Sequence, residues 1–165
     1  VSNDGRKALR MLLQDGQLQL SSRGYESPLR PVAQQRFYGA DDRDLIVFSR
    51  STRNPGAVEL QRSSEPDMPY RRVPTWSPAP QDLSVYAGTY RSEEIEIPYR
   101  ISVQQGNLVV TTLKWNTGVP LIPMAQDLFT SKECGYVRFT RDSGGRVTGM
   151  TFNGYVVDLR FSRSD

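Results

Sequence analysis

The chain of 165 residues carries a net charge of +3 and is long enough for one compact domain or two small ones. It has no histidine and a single cysteine, Cys134. Ser-His-Asp and Cys-His catalysis, His-ligated zinc or haem, an internal disulfide and thiolate clusters are therefore excluded.

Eleven prolines, thirteen glycines and eight tyrosines point to a turn-rich β protein. The longest apolar run, Leu45–Phe48, is far too short to span a membrane. Residues 1–74 hold twelve Lys/Arg against nine Asp/Glu, and residues 75–165 hold nine of each, so the excess basicity lies in the first part. The arginines are spread singly rather than gathered into a polybasic arm, and nucleic acid is not an expected partner.

In chain order, Ala8–Gln14 has good helix formers, and propensity alone would make it a helix. Asp15-Gly16 is a tight-turn dipeptide followed by the alternating residues Gln17-Leu18-Gln19-Leu20, the pattern of a hairpin tip. Asp41-Asp42-Arg43-Asp44 clusters carboxylates but lacks calcium-loop spacing, so a solvated hairpin loop is expected there. Pro74–Pro80 carries three prolines in seven residues, and 75–82 is expected to be a semi-rigid linker.

Beyond the linker, Ile95, Ile97, Tyr99, Ile101 and Val103 alternate with polar residues. That period of two predicts a half-buried strand, with a bulge or edge position at Pro98. Glu94 and Glu96 then share its solvent face and do not form a catalytic pair. Gln105-Gly106 is a second hairpin tip. Gly135–Thr140, Arg146–Phe152 and an alternating segment through Val157, Leu159 and Phe161 read as strands, separated by Asp142–Gly145 and Asn153-Gly154. Cys134 falls in a turn near Lys132, a position that favours the thiolate somewhat but supplies no partner base.

The chain also resembles itself. Gln14–Leu20 matches Gln104–Val110, Pro28–Phe37 matches Pro120–Phe129, and Val47–Arg50 matches Arg138–Arg141, at offsets of 90, 92 and 91. Three ordered blocks at near-constant offset indicate a tandem duplication. The counterpart of Ala8–Gln14 is the alternating strand ending at Gln104, so Ala8–Gln14 is also expected to be a strand. The expected fold is all-β: tandem antiparallel meander repeats in a lipocalin-like, up-and-down β-barrel arrangement, as separate barrels or one shared sheet system. Residues 1–74 form a first repeat lacking its opening strand, 75–82 the linker and 83–165 the second repeat. On this reading the chain is expected to be a fragment, or its first copy has lost its opening strand or takes it from elsewhere.

Leu83-x-x-Tyr86-x-Gly88-x-Tyr90, Gln105-Gly106 before Leu108, Leu121-x-Pro123 before Phe129, and Val137-x-Phe139-x-Arg141-Asp142-x-x-Gly145-x-Val147-x-Gly149 form a series. It resembles the C-terminal lipocalin-like barrels of bacterial serine β-lactamase-related, penicillin-binding-protein-like hydrolases. The tandem arrangement is similar to that of the D-aminopeptidases. The resemblance implies a catalytic domain with Ser-x-x-Lys and Tyr-x-Asn elements. Neither is present: Asp4, Thr111 and Phe129 precede the three lysines by three residues, and no Tyr is followed two places later by Asn.

The chain is thus expected to be a non-catalytic accessory module, without catalytic residues, cofactor or metal, that docks on or gates the catalytic domain of its parent hydrolase or aids subunit assembly. By the same resemblance, a loop of the last barrel reaches toward the active site. Lys114, Trp115, Asn116 and Thr117 are the candidates, in a segment two residues longer than its counterpart in the first repeat. An exposed Trp at a loop tip is a large apolar docking surface, whereas a buried Trp115 would plug the barrel end. An independent lipocalin-like carrier of a hydrophobic ligand is the alternative. A cell-wall-binding module using the first repeat's arginines is a third. The parent would be bacterial, in cytoplasm or envelope.

Overall fold

The computed structural model describes residues 1–39, 42–51 and 58–164. It is nearly all β, and the chain divides between Pro74 and Thr75 into two compact units.

The first unit has strands β1 (Arg10–Gln14), β2 (Gln17–Ser22), β3 (Tyr25–Pro28), β4 (Arg30–Ala33), β5 (Arg36–Tyr38), β6 (Leu45–Arg50), β7 (Val58–Arg62) and β8 (Glu65–Arg71). They pair in chain order as an antiparallel three-stranded sheet, β1-β2-β3, and a five-stranded sheet, β4 to β8. The segment Ala8–Gln14 is therefore strand from Arg10 onward, not helix: Met11 pairs with Leu20 and Leu13 with Leu18. Pairing overrides helix propensity because the Asp15-Gly16 turn, with φ of 51° and 77°, brings β2 directly alongside. Leu29 separates β3 from β4; its N–H donates to the Leu18 carbonyl and its side chain is fully buried with Leu20, Ile46, Leu60 and Tyr70.

The second unit has strands β9 (Gly88–Arg91), β10 (Tyr99–Gln104), β11 (Asn107–Thr111), β12 (Val119–Ala125), β13 (Leu128–Ser131), β14 (Gly135–Arg141), β15 (Val147–Asn153) and β16 (Leu159–Arg163). Each pairs with its successor, and β16 returns to β9 through Ser162–Arg91 and Arg163–Tyr90, closing an eight-stranded up-and-down barrel. Closure leaves no sheet edge. Leu108, Val110, Leu121, Phe129, Val137, Phe139, Met150 and Phe161 point inward and fill it.

The internal repeat is visible bond by bond. The pairs Pro31–Phe37 and Ala33–Arg36 recur as Pro123–Phe129 and Ala125–Leu128, each with the same irregularity between them. Gln35 and Asp127 both hold positive φ, 61° and 62°. The carbonyl of Gln35 accepts from Phe48 N–H, as that of Asp127 accepts from Phe139 N–H.

Three expectations need correction. Pro80–Leu83 is one helical turn, α1, and Trp76 packs edge-to-face on Tyr86 and Phe129, so much of the expected linker belongs to the second unit. Proline at the first helical position needs no N–H donor, and Asp82 accepts from Ala79 N–H. The strand expected from Glu94 starts at Tyr99, with Pro98 outside it, because proline offers the ladder no donor. The last strand starts at Leu159 rather than Val157, which stands exposed in the preceding loop.

Candidate functional site

An up-and-down barrel sorts its hairpins between two ends. The β9–β10, β11–β12, β13–β14 and β15–β16 connections share one end, and α1 lies toward the other with the 105–106, 126–127 and 142–146 turns. The predicted segment Lys114–Thr117 therefore sits in a ring with residues 92–98, 132–134 and 154–158.

Each of these four connections is pinned by a polar side chain at its start. Ser92 Oγ accepts from Glu94 N–H, Thr112 Oγ1 from Trp115 N–H, Ser131 Oγ from Cys134 N–H, and Asn153 Oδ1 from Asp158 N–H. Such Asx- and ST-type turns fix loop shape from within. Their carboxylates (Glu93, Glu94, Glu96, Glu133, Asp158) outnumber the ammonium groups of Lys114 and Lys132.

Of the two readings of Trp115, the structure matches the plug rather than the exposed tip. Trp115 is half-buried on the barrel core, edge-to-face with Tyr99 at 6.1 Å, and the Tyr99 ring meets Phe152 and Phe161. The Lys114 ammonium lies 6.0 Å from the indole centre. Four rings close this mouth because burying Trp115 against Tyr99 gains more than exposing it. Asn116 and Thr117 are exposed beside it. The exposed apolar groups at this end are Leu113 (82% exposed), Tyr155 (90%), Val156, Val157 and Ile97, although alternation places Ile97 and Val157 on strands. Only the closed topology brings these distant residues to one end.

Cys134 is buried, and desolvation pushes its thiol up to about 11; the bond with Ser131 and the repulsion from Glu133 are lesser influences. The lowering expected from Lys132 is overridden because burial disfavours the thiolate. Glu94 and Glu96 are both exposed, in a loop rather than on a strand. In the first unit, Asp41 lies outside the described residues. Asp44, expected in a solvated loop, is buried: Arg62 Nε donates to it at 2.6 Å and Ser64 N–H at 3.1 Å. Burying a carboxylate requires such partners.

The opposite end of the barrel holds a network that joins Tyr86 and Arg141, both in the series that carries the family resemblance, to Asp127, which is not in it. Tyr86 Oη donates to Asp127 Oδ1 at 2.8 Å, and Arg141 donates to Asp127 from Nε and Nη2 and to the Gly145 carbonyl from Nη1. Desolvation first, then the Asp127 carboxylate, pushes the Tyr86 phenol up to about 12. Every polar group here is engaged with another, so the network is a structural clasp. No described helix is long and apolar enough to cross a membrane.

The family described as a domain of unknown function, DUF3471, matches residues 72–165, which include all eight strands of the closed barrel. No curated protein matches the chain. Spanning more than half of the chain, and all of its second unit, the match places this protein in the DUF3471 family.

Proposed function

We propose that the chain is a non-catalytic accessory module of a serine β-lactamase-related hydrolase, docking on the catalytic domain and gating its substrate entrance. The observation that carries this reading is the ring of four pinned loops, with Leu113, Tyr155, Val156 and Val157 exposed among carboxylates. Exposed apolar side chains on loops fixed in advance are costly in water and suited to binding a partner surface. Lys114, Asn116 and Thr117 belong to the rim of that surface, and Trp115 braces it from beneath. The ring-filled interior supports docking over carriage of a hydrophobic ligand, because carriage needs an empty cavity.

The reading frame upstream of Val1 tests the assignment: it is expected to encode a Ser-x-x-Lys element. A start codon immediately before Val1 overturns it. Within such a parent enzyme, Leu113→Asp should raise KM for bulky substrates while kcat for a small chromogenic ester stays unchanged. Hydrolysis of that ester by the isolated chain would also overturn the reading.

A further inference from the structure

The outer wall of the second barrel has a chemistry of its own, independent of whether the module serves a hydrolase. Strands β14, β15, β16, β9 and β10 are consecutive neighbours in the closed sheet, and they contain six arginines and no Asp or Glu. Two of the six are only part-exposed. Arg141 grips Asp127, and Arg163 donates to the Val85 and Ala87 carbonyls. The other four, Arg138, Arg160, Arg91 and Arg100, are exposed.

Register places these four in one stripe. Alternation turns them outward, since Val137, Phe139, Phe161, Tyr90 and Ile101 beside them are in the core. Arg138 pairs with Thr151, which pairs with Arg160; Ser162 pairs with Arg91; Thr89 pairs with Arg100. Arg160, Arg91 and Arg100 are therefore successive diagonal neighbours, about 7–8 Å apart at Cα. Arg138 lies two strands from Arg160, about 10 Å away. The hydroxyls of Thr151, Ser162 and Thr89 fill the positions between. The nearby carboxylate of Glu94 accepts from the Arg160 backbone N–H at 3.4 Å, at the loop end of the stripe. Among the described residues, no side chain pairs with the guanidinium of Arg160, Arg91 or Arg100.

We infer that this stripe binds an extended anionic glycan, carboxylate- or phosphate-bearing, running diagonally across β10, β9, β16, β15 and β14. Guanidinium groups recognise both anions through paired N–H donors, and the interleaved hydroxyls suit a sugar backbone. The face offers no exposed aromatic ring, because Tyr136 is buried, so it lacks the stacking platform that single-stranded nucleic acid requires. Separation of the guanidinium groups matches a ligand whose charges repeat along its length better than it matches one compact anion.

Fluorescence anisotropy of the whole chain with labelled oligogalacturonate and, separately, a labelled oligosaccharide phosphorylated on its sugars (phosphomannan oligomers) tests this at low and raised salt. Saturable binding of at least one of them, weakening as salt rises, is expected, and the preferred probe tells carboxylate from phosphate. Replacing Arg91, Arg100 and Arg160 together by Gln should raise Kd about tenfold or more. The exposed pair Arg36 and Arg50, changed to Gln in the first unit, should leave it within about twofold. The inference is overturned if neither glycan binds at low salt, if the triple variant binds as well as the parent, or if labelled oligothymidylate binds more tightly than both.

Discussion

The carboxylate of Asp127 accepts from Arg141 twice, from Nη2 at 2.7 Å and Nε at 2.9 Å, while its own residue sits at φ 62°. Asp127 closes the β12–β13 turn and Arg141 ends β14, so one ion pair ties two hairpins together at the α1 end. Tyr86 joins the pair from the segment before β9. Tyr86→Phe leaves the ring packing and removes only the hydroxyl, so it should cost about 1–3 kcal/mol by denaturant unfolding. Asp127→Asn should cost more than Tyr86→Phe, and the two losses should be non-additive in a double-mutant cycle.

The same phenol gives the barrel a signature at alkaline pH. Burial and the Asp127 carboxylate push its folded pKa up to about 12, above the ordinary phenol value of 10.0. The stabilisation is therefore complete below pH 10 and is lost as pH rises toward 12. Stability of Tyr86→Phe, followed over that range, should fall less steeply than that of the parent.

Acid acts on the first unit. Burial alone would raise the Asp44 and Glu65 carboxyls. For Asp44, hydrogen bonds from Ser64 and Arg62 outweigh it; for Glu65, those from Lys7 and Tyr70 do so, and both carboxyls titrate below their ordinary range. Their stabilisation is present above an unfolded pKa of about 4 and is lost as pH falls through the lower folded values. Asp44→Asn should destabilise by about 1–3 kcal/mol at neutral pH and flatten the acid limb of the stability profile.

Two glycines separate backbone strain from crowding. A Cβ on Gly149 would stand 2.5 Å from the Phe161 carbonyl oxygen, on the neighbouring strand, whereas one on Gly16 meets nothing within 4 Å. Gly16→Ala should cost about 1 kcal/mol, the penalty of a left-handed φ of 77°. Gly149→Ala must push β15 from β16, and a larger loss, about 2 kcal/mol or more, is expected by thermal unfolding.

Cys134 should resist thiol reagents. With the thiol buried and raised to about 11, labelling by an aromatic disulfide at neutral pH should be far slower than for an unfolded control. Denaturant should abolish the difference.

Periodicity and turn chemistry determined the strands, because alternation and dipeptides such as Asp15-Gly16 and Gln105-Gly106 act over a few residues. The duplication was legible for the same reason: each copy keeps its own short-range signals, and comparison of the copies corrected the helix that propensity favoured at Ala8–Gln14. What the tertiary structure alone decided was burial and company. Trp115 is half-covered because Tyr99 lies beneath it, and Asp44 is held by Arg62 across β6 and β7. Asp127 meets Tyr86 from 41 positions away. Closure of β16 on β9 gathers Leu113 and Tyr155 at one mouth and aligns Arg160, Arg91 and Arg100 on one wall. Local sequence specifies where the chain turns, but only the closing of the sheet fixes which distant side chains become neighbours.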